Sequence, residues 1–330
     1  MPTAMHAPPA KGLRRRSLAF VLLTLAVGGC KKPAVSTTPR SGKPSYDVGA
    51  IDLTAFPADP AVFGRVLLMP FGEAAARLAS LKFTARSTFV FSRGTEEYEQ
   101  NDVSVVVQDS QSNFHVVLDT PENETEVYLI GETLYVRQDR GYLRSKPRRD
   151  LEPEFWTEVA FASMREALSL FSPKLRLAEP RPEVVAGRNA TRYSLSLATK
   201  PEEATPVPTA LPRPILPVAP PSRWRELARP LDLQGALWID ATTGVMMRLQ
   251  LEGQLEIADR QVRPTQLQVR FDAGITEVGK VAAVKAPDSI PEFRRVDRPK
   301  NLLGFFSEYL EPDTDKPAKS GKADKGAKAR

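Results

Sequence analysis

The chain of 330 residues holds one sulfur nucleophile, Cys30, and two imidazoles, His6 and His115. Cys30 follows Val27, Gly28 and Gly29 directly. Small residues there let the backbone enter a peptidase site, and a lone thiol beside them is suited to thioether acylation. With no second cysteine there is no disulfide, and an acylated Cys30 offers no thiolate to a metal. His6 would leave with any segment cut before Cys30, and a single remaining His115 excludes a multi-histidine metal site. His115 is also out of phase with Phe114 and Val116, so it faces away from the apolar side of its strand. A serine nucleophile needs a base beside it. The sequence has no G-x-S-x-G elbow, no phosphate loop and no dinucleotide fingerprint. Asp and Glu are abundant, but no pair stands out by spacing, so a carboxylate hydrolase is the weakest reading. Neither catalysis nor a cofactor is expected.

Arg14, Arg15 and Arg16 precede Ser17–Val27, eleven residues of which only Ser17 and Thr24 are polar. A basic start, a short apolar run and small residues before the cut describe a secretory signal. The run is too short to span a bilayer, which takes roughly 20 apolar residues. Val27-Gly28-Gly29-Cys30 resembles a bacterial lipobox, which implies removal of residues 1–29 and a lipid on Cys30. Arg15-Arg16-Ser17-Leu18 also resembles a twin-arginine export signal. Loss of Lys11 and Arg14–Arg16 lowers the formal charge from +6 to +2. That balance, together with export, argues against nucleic acid as a partner. Residues 30–50 read as a flexible tether, rich in Lys, Pro, Ser and Thr up to about Ser45. About 15 such residues hold a domain on the order of 20 Å from its anchor. Lys31 and Lys32 would lie near anionic headgroups. Lys31 gives no inner-membrane retention signal, so the expected address is the outer membrane, facing the periplasm.

Asp59-Pro60 reads as a helix start, N-cap followed by proline, with Val62, Val66 and Met69 at helical spacing up to Pro70. A second short helix is expected over 72–80. The period then changes from 3.6 to 2. Phe83, Ala85, Phe89 and Phe91 alternate with polar residues, and Val103, Val105 and Val107 share one face of the next strand. Further strands are expected at Phe114–Leu118, Val127–Ile130, Thr133–Arg137 and Tyr142–Ser145, with Gly131-Glu132 as a hairpin turn. Pro153–Phe171 reads as the one long helix inside the sheet. Trp156, Ala160, Met164, Ala167, Leu168 and Phe171 line one side of it, and Glu158, Arg165 and Glu166 lie elsewhere. Strands resume at Lys174–Ala178 and Val184–Ala198. Residues 201–222 hold eight prolines, which suits an extended surface insertion. Val245, Met247, Leu249, Leu251, Leu255 and Ile257 keep period two, broken only by Gly253, which marks a bulge or bend. Leu267–Ile275 is the last long strand. Residues 299–310 form an amphipathic segment, and 311–330 a charged tail without apolar anchors.

About eleven strands joined by short turns make an α+β chain, with a curved antiparallel half-barrel sheet closed by helices. One apolar face of such a sheet can enclose a site for apolar ligands, since each buried methylene gains about 0.8 kcal/mol. Strand phase and helix face select Phe89, Phe91, Val105, Val107, Val136, Trp156, Met164, Leu168, Trp238, Met247 and Leu249 as its lining. The alternative is an interior filled by these same side chains.

The order of elements carries a resemblance. A helical pair precedes a meander with the hairpin Val127–Val136. The Trp156 helix follows, then Gly235-Ala236-Leu237-Trp238-Ile239-Asp240-Ala241-Thr242-Thr243-Gly244 and two long strands. Over roughly Ile51–Pro291 this resembles the lipoprotein-carrier superfamily of LolA, LolB and the mycobacterial LppX/LprG lipoproteins. The resemblance implies a half-barrel domain over 51–298 that holds a lipid or the acyl chains of a protein. The acyl anchor fits LolB and LppX/LprG better than soluble LolA. The proline-rich insertion and charged tail depart from the pattern. A rival reading keeps the fold but uses the surface to bind another envelope protein, as the anti-sigma-factor partner RseB is thought to do.

Overall fold

In the computed structural model the described residues are 46 and 48–287, apart from 122, 139–142, 149–151, 173, 206–226 and 259–264. Residues 1–45, with Cys30 and most of the tether, therefore lie outside them. So do most of the proline-rich insertion, the segment 299–310 and the tail.

Asp59 starts α1 (Pro60–Leu67) as the sequence predicts: its carboxylate accepts from the backbone N–H of Ala61 at 2.7 Å. That satisfies one of the orphan donors at a helix start. Pro70 stands before α2 (Phe71–Leu78). Strands β1 (Leu81–Arg93), β2 (Glu96–Gln108), β3 (Phe114–Thr120), β4 (Asn123–Ile130), β5 (Thr133–Gln138) and β6 (Arg144–Pro147) follow. Then come α3 (Glu152–Ser169) and strands β7 (Leu175–Val185), β8 (Arg188–Leu197), β9 (Ala228–Asp240), β10 (Met246–Ile257) and β11 (Thr265–Thr276). All eleven strands belong to one curved, unclosed sheet in the order β6-β5-β4-β3-β2-β1-β11-β10-β9-β8-β7, antiparallel throughout. The strands lie beside their sequence neighbours in two runs, and the long-range pair β1–β11 joins the runs at the centre of the wall.

The two edges of this wall are β6 and β7. β6 is four residues long and contains Arg144, Lys146 and Pro147. The exposed run of β7 is Glu179-Pro180-Arg181-Pro182-Glu183-Val184, where the pairing with β8 slips between Ala178 and Arg181. Charge, proline, bulges and brevity all discourage further strand pairing.

α3 links one edge to the other and packs against α2, β1, β2 and β3. The one-sided stripe expected for it is a correction. Fourteen of its eighteen residues are buried, Glu158, Arg165 and Glu166 among them. The helix lies inside the half-barrel, so its polar side chains are enclosed too. The guanidinium of Arg165 donates to Glu158 Oε1, and the Phe71 N–H donates to Glu158 Oε2 at 2.9 Å.

Two glycines show why the wall accepts its contents. Gly253, expected to mark a bulge or bend, makes room for an aromatic ring: a Cβ there would meet Phe171 Cζ at 2.5 Å. The register slips one step later, where Gln254 and Leu255 face Asp232 and Pro230, so the extra residue is Leu231 of β9 and not a residue of β10. At Gly235, with φ of +154°, a Cβ would lie 2.1 Å from the Gln250 carbonyl oxygen of β10. Backbone cannot yield there as a side-chain tip can. Gly235→Ala is expected to cost about 3 kcal/mol, read as a lower denaturant midpoint at unchanged slope.

Candidate functional site

The inner face of the wall is fixed by what α3 touches. Phe161 meets Phe83 edge-on at 5.3 Å and Phe71 at 5.6 Å, so Phe83 points inward. Alternation then turns Ala85, Ser87 and Phe89 inward as well. Register carries the assignment across the sheet. Phe83, Ala85, Ser87 and Phe89 lie opposite Val106, Ser104, Asp102 and Gln100 of β2, and opposite Ile275, Ala273, Phe271 and Val269 of β11.

Of the eleven residues selected from the sequence, Phe89, Val136, Trp156, Met164, Leu168, Trp238, Met247 and Leu249 share one buried cluster. Phe91 is partly buried at its margin. Met247 is the extra residue of the bulge between Met246 and Arg248. Three residues are placed differently from the expectation. Val105 and Val107 point to the outer face, because β2 turns its polar set inward. Trp238 is also on the outer face: Leu237 lies opposite Leu249 on the inner phase, and Trp238 opposite Arg248. Its ring stands 5.6 Å from the Arg192 guanidinium and 5.3 Å from that of Arg248, and Nε1–H donates to Glu183 Oε2 at 2.9 Å. The valines misled because the tip of the β7–β8 hairpin lies over this part of the wall beside Val103 and Val105, so apolar residues survive on an outer surface.

The interior between α2, α3 and β1 is filled by the chain's own side chains: Phe71, Phe83, Phe161, Met164 and Leu168 are almost wholly buried. Two grooves lined by described residues, of about 650 and 540 Å³, both lie on the outer face. The first runs past Trp238, Arg86, Arg192 and Arg270, and the second runs under the hairpin tip past Val103 and Val105.

Farther along the inner wall the chemistry changes. Ser87 is four residues beyond Phe83, about 13 Å along the strand. Here Gln100 is 4% and Asp102 2% exposed. Asp102 Oδ1 accepts from Gln100 Nε2 at 2.9 Å, and Ser87 adds a hydrogen bond. Asp102 Oδ2 and Gln100 Oε1 have no partner. Burial pushes the Asp102 carboxyl up to about 6, and the charge of Asp119 adds to it, against the pull of the bonds from Gln100 and Ser87. This polar cluster escaped the sequence reading, which assigned the core face of β2 to its valines. The signal available was the pairing with β1, where Ser87 interrupts an apolar row.

The Asp102 carboxyl makes stability depend on pH. Its folded value lies above the ordinary 3.8. Asp102 therefore costs nothing below about pH 4, and its ionisation penalty grows as pH rises through about 6. Asp102→Asn is expected to stabilise the fold at pH 7.5 by about 2–3 kcal/mol, because each tenfold change in the protonation equilibrium is worth about 1.4 kcal/mol. Near pH 4 it is expected to leave stability unchanged. Chemical denaturation at the two pH values checks this. An equal effect at both would show that the charge is not the cause.

His115 sits on the outer face in a different setting. Its ring stacks on Tyr128 at 4.0 Å, and Nε2 lies 2.9 Å from Glu126 Oε1. Burial raises the Glu126 carboxyl, but hydrogen bonds from Tyr128 and His115 and the charge of Arg137 outweigh it and hold it low. The aspartate of the threonine-glycine turn is fully engaged: Asp240 Oδ1 accepts from the Thr242 N–H, the Thr243 N–H and the Thr243 hydroxyl, and Arg188 pairs with the other oxygen.

No family model and no curated protein matches the sequence. Similar solved structures include LprF from Mycobacterium bovis, 14% identical at a TM-score of 0.23 and covering 70% of this chain and 97% of that one. A DUF1329 family protein from Desulfovibrio piger is 7% identical at 0.21, covering 64% and 91%. A LolA superfamily protein from Nitrosomonas europaea is 12% identical at 0.18, covering 59% and 85%. At such identities and scores they carry no argument, and the half-barrel rests on the strand order. The proteins this chain is similar to include LprF and a LolA superfamily member, the group that its sequence resembles.

Proposed function

We propose that this is a lipid-anchored protein of the cell envelope. In this reading residues 1–29 direct export, Cys30 takes the lipid, and 30–50 tether a half-barrel to the outer membrane. The half-barrel binds a lipid or the acyl chains of a lipoprotein against its inner wall, as carrier or receptor. The observation that carries the reading is the width of the open sheet. Eleven strands at about 4.8 Å spacing make an arc of about 48 Å, whereas one helix with side chains is about 10–12 Å across. Along β10 and β11 the inner wall is apolar at Leu249, Leu251, Leu255, Leu267, Val269 and Phe271. A wall that wide, holding α3 with α2 packed against it, can part from them and admit a chain.

The test is native mass spectrometry of the full chain, purified gently from its membrane. A bound lipid, or uptake of a long-chain fatty acyl probe, is expected. A chain that is empty and takes up no probe would end this reading. If that empty chain also captured a protein partner through residues 201–222, a scaffolding role would replace it.

A further inference from the structure

We infer that the cluster of Ser87, Gln100 and Asp102 is the headgroup site of the inner wall, and that it selects an amphiphile bearing hydrogen-bond donors, an ammonium above all. The inference rests on the hydrophobic-ligand reading above and adds which end of the ligand is recognised.

Three observations converge. The side chains belong to adjacent strands in fixed register, Ser87 opposite Asp102 and Phe89 opposite Gln100, on the face that carries the core. Both orphaned atoms are acceptors, Gln100 Oε1 and Asp102 Oδ2, on side chains at least nine-tenths buried. Buried acceptors without donors are costly, and a carboxylate is the costliest kind. Plain packing would place apolar side chains here, as it does at the Phe83–Val106 pair on the same face of the same two strands. A second, functional demand explains the acid: the missing donors come from outside the chain.

The chemistry of the missing group follows from the set. Two acceptors, one of them anionic, reject phosphate and carboxylate headgroups and welcome N–H or O–H. The neighbours decide the rest of the ligand. Phe89 on β1, with Val269 and Leu267 on β11 and Leu255 on β10, continues the inner wall beside the cluster as pure hydrocarbon. A headgroup held at Asp102 leaves its chain to lie along these residues. Charge-assisted hydrogen bonds to a buried acid are among the stronger ones, so the head contributes selectivity that the chain alone does not.

Three probes of one chain length separate the contributions: dodecylamine with a charged donor, dodecanol with a neutral donor, and 1-methoxydodecane with none. The full chain, released from detergent, is compared by native mass spectrometry at matched probe concentrations. Dodecylamine is expected to bind most and the ether least. Asp102→Asn is expected to reduce the amine-to-ether preference about tenfold. Gln100→Met removes the other acceptor without touching the acid and is expected to act in the same direction. Retention of the ether is expected not to fall in either variant, because the ether gives no donor to the acceptors that are removed, and this separates loss of recognition from loss of fold. Equal binding of amine and ether, or a preference that both variants leave intact, overturns the headgroup site while the hydrophobic wall stands. Binding of none of the three overturns both.

Discussion

Cys30→Ala, placed behind a signal that is cut in front of residue 30 without a lipid, is expected to move the protein almost wholly from the membrane pellet to the soluble fraction. Each buried methylene of an anchoring chain contributes about 0.8 kcal/mol, and two chains make release negligible on any working timescale. Without them the remaining attraction is that of Lys31 and Lys32, about 1 kcal/mol each beside an anionic surface. A difference of many powers of ten between these contributions makes the result close to all-or-none. The intact mass of the wild-type protein is expected to show a chain starting at Cys30 and carrying acyl groups. A variant that still sediments with the membrane, or a wild-type mass without acyl groups, would remove the anchor from the proposal. The result is independent of what the half-barrel holds.

The second large effect is expected inside the half-barrel, at Glu158→Ala. Glu158 is 1% exposed and Arg165 3%. Removing the acid leaves the Arg165 charge buried without this counter-charge, and it leaves the Phe71 N–H at the start of α2 without its acceptor. Breaking one side of a buried pair costs about 3–5 kcal/mol. For a chain of this size that is a fall in Tm of about 10 °C. Replacing both partners, Glu158→Leu with Arg165→Met, is expected to recover most of the loss, since the uncompensated charge disappears. Thermal melts of Glu158→Leu, Arg165→Met and their double form the cycle that measures it. A single-variant cost below about 1 kcal/mol would mean that water reaches the pair. Because Glu158 couples α2 to α3, the variant also loosens that pair of helices.

How much of this was legible depended on whether polarity and burial agreed. They agree along β10 and β11, where the alternation of Leu249, Leu251 and Leu255 and of Leu267, Val269 and Phe271 gives both strand and inner face directly. They agree at Asp59-Pro60, where a local capping bond decides the structure. They disagree on β2. The apolar Val103, Val105 and Val107 face outward, and Gln100, Asp102 and Ser104 face the core, so period two was right and its phase was inverted. They disagree again on α3, where enclosure on all sides buries the acids and the arginine together with the aromatics. The placement of Trp238 depended on the β7–β8 hairpin reaching the outer face with Glu183, a contact between residues 55 positions apart. Local pattern carries no information about such a contact. In each case the misread residue is one whose surroundings are supplied by a distant part of the chain.

The borders of the sheet have a bearing on crowding. Lipid-bound molecules share a two-dimensional surface, where neighbours collide often and in similar orientations. An open wall with smooth flanks would grow sideways under those conditions, molecule after molecule, into ribbons. The prolines and alternating charges of 179–183 and the four-residue β6 interrupt that growth at both ends. On the proposed anchor, an unclosed sheet would thus sit among its own kind without being stitched to them.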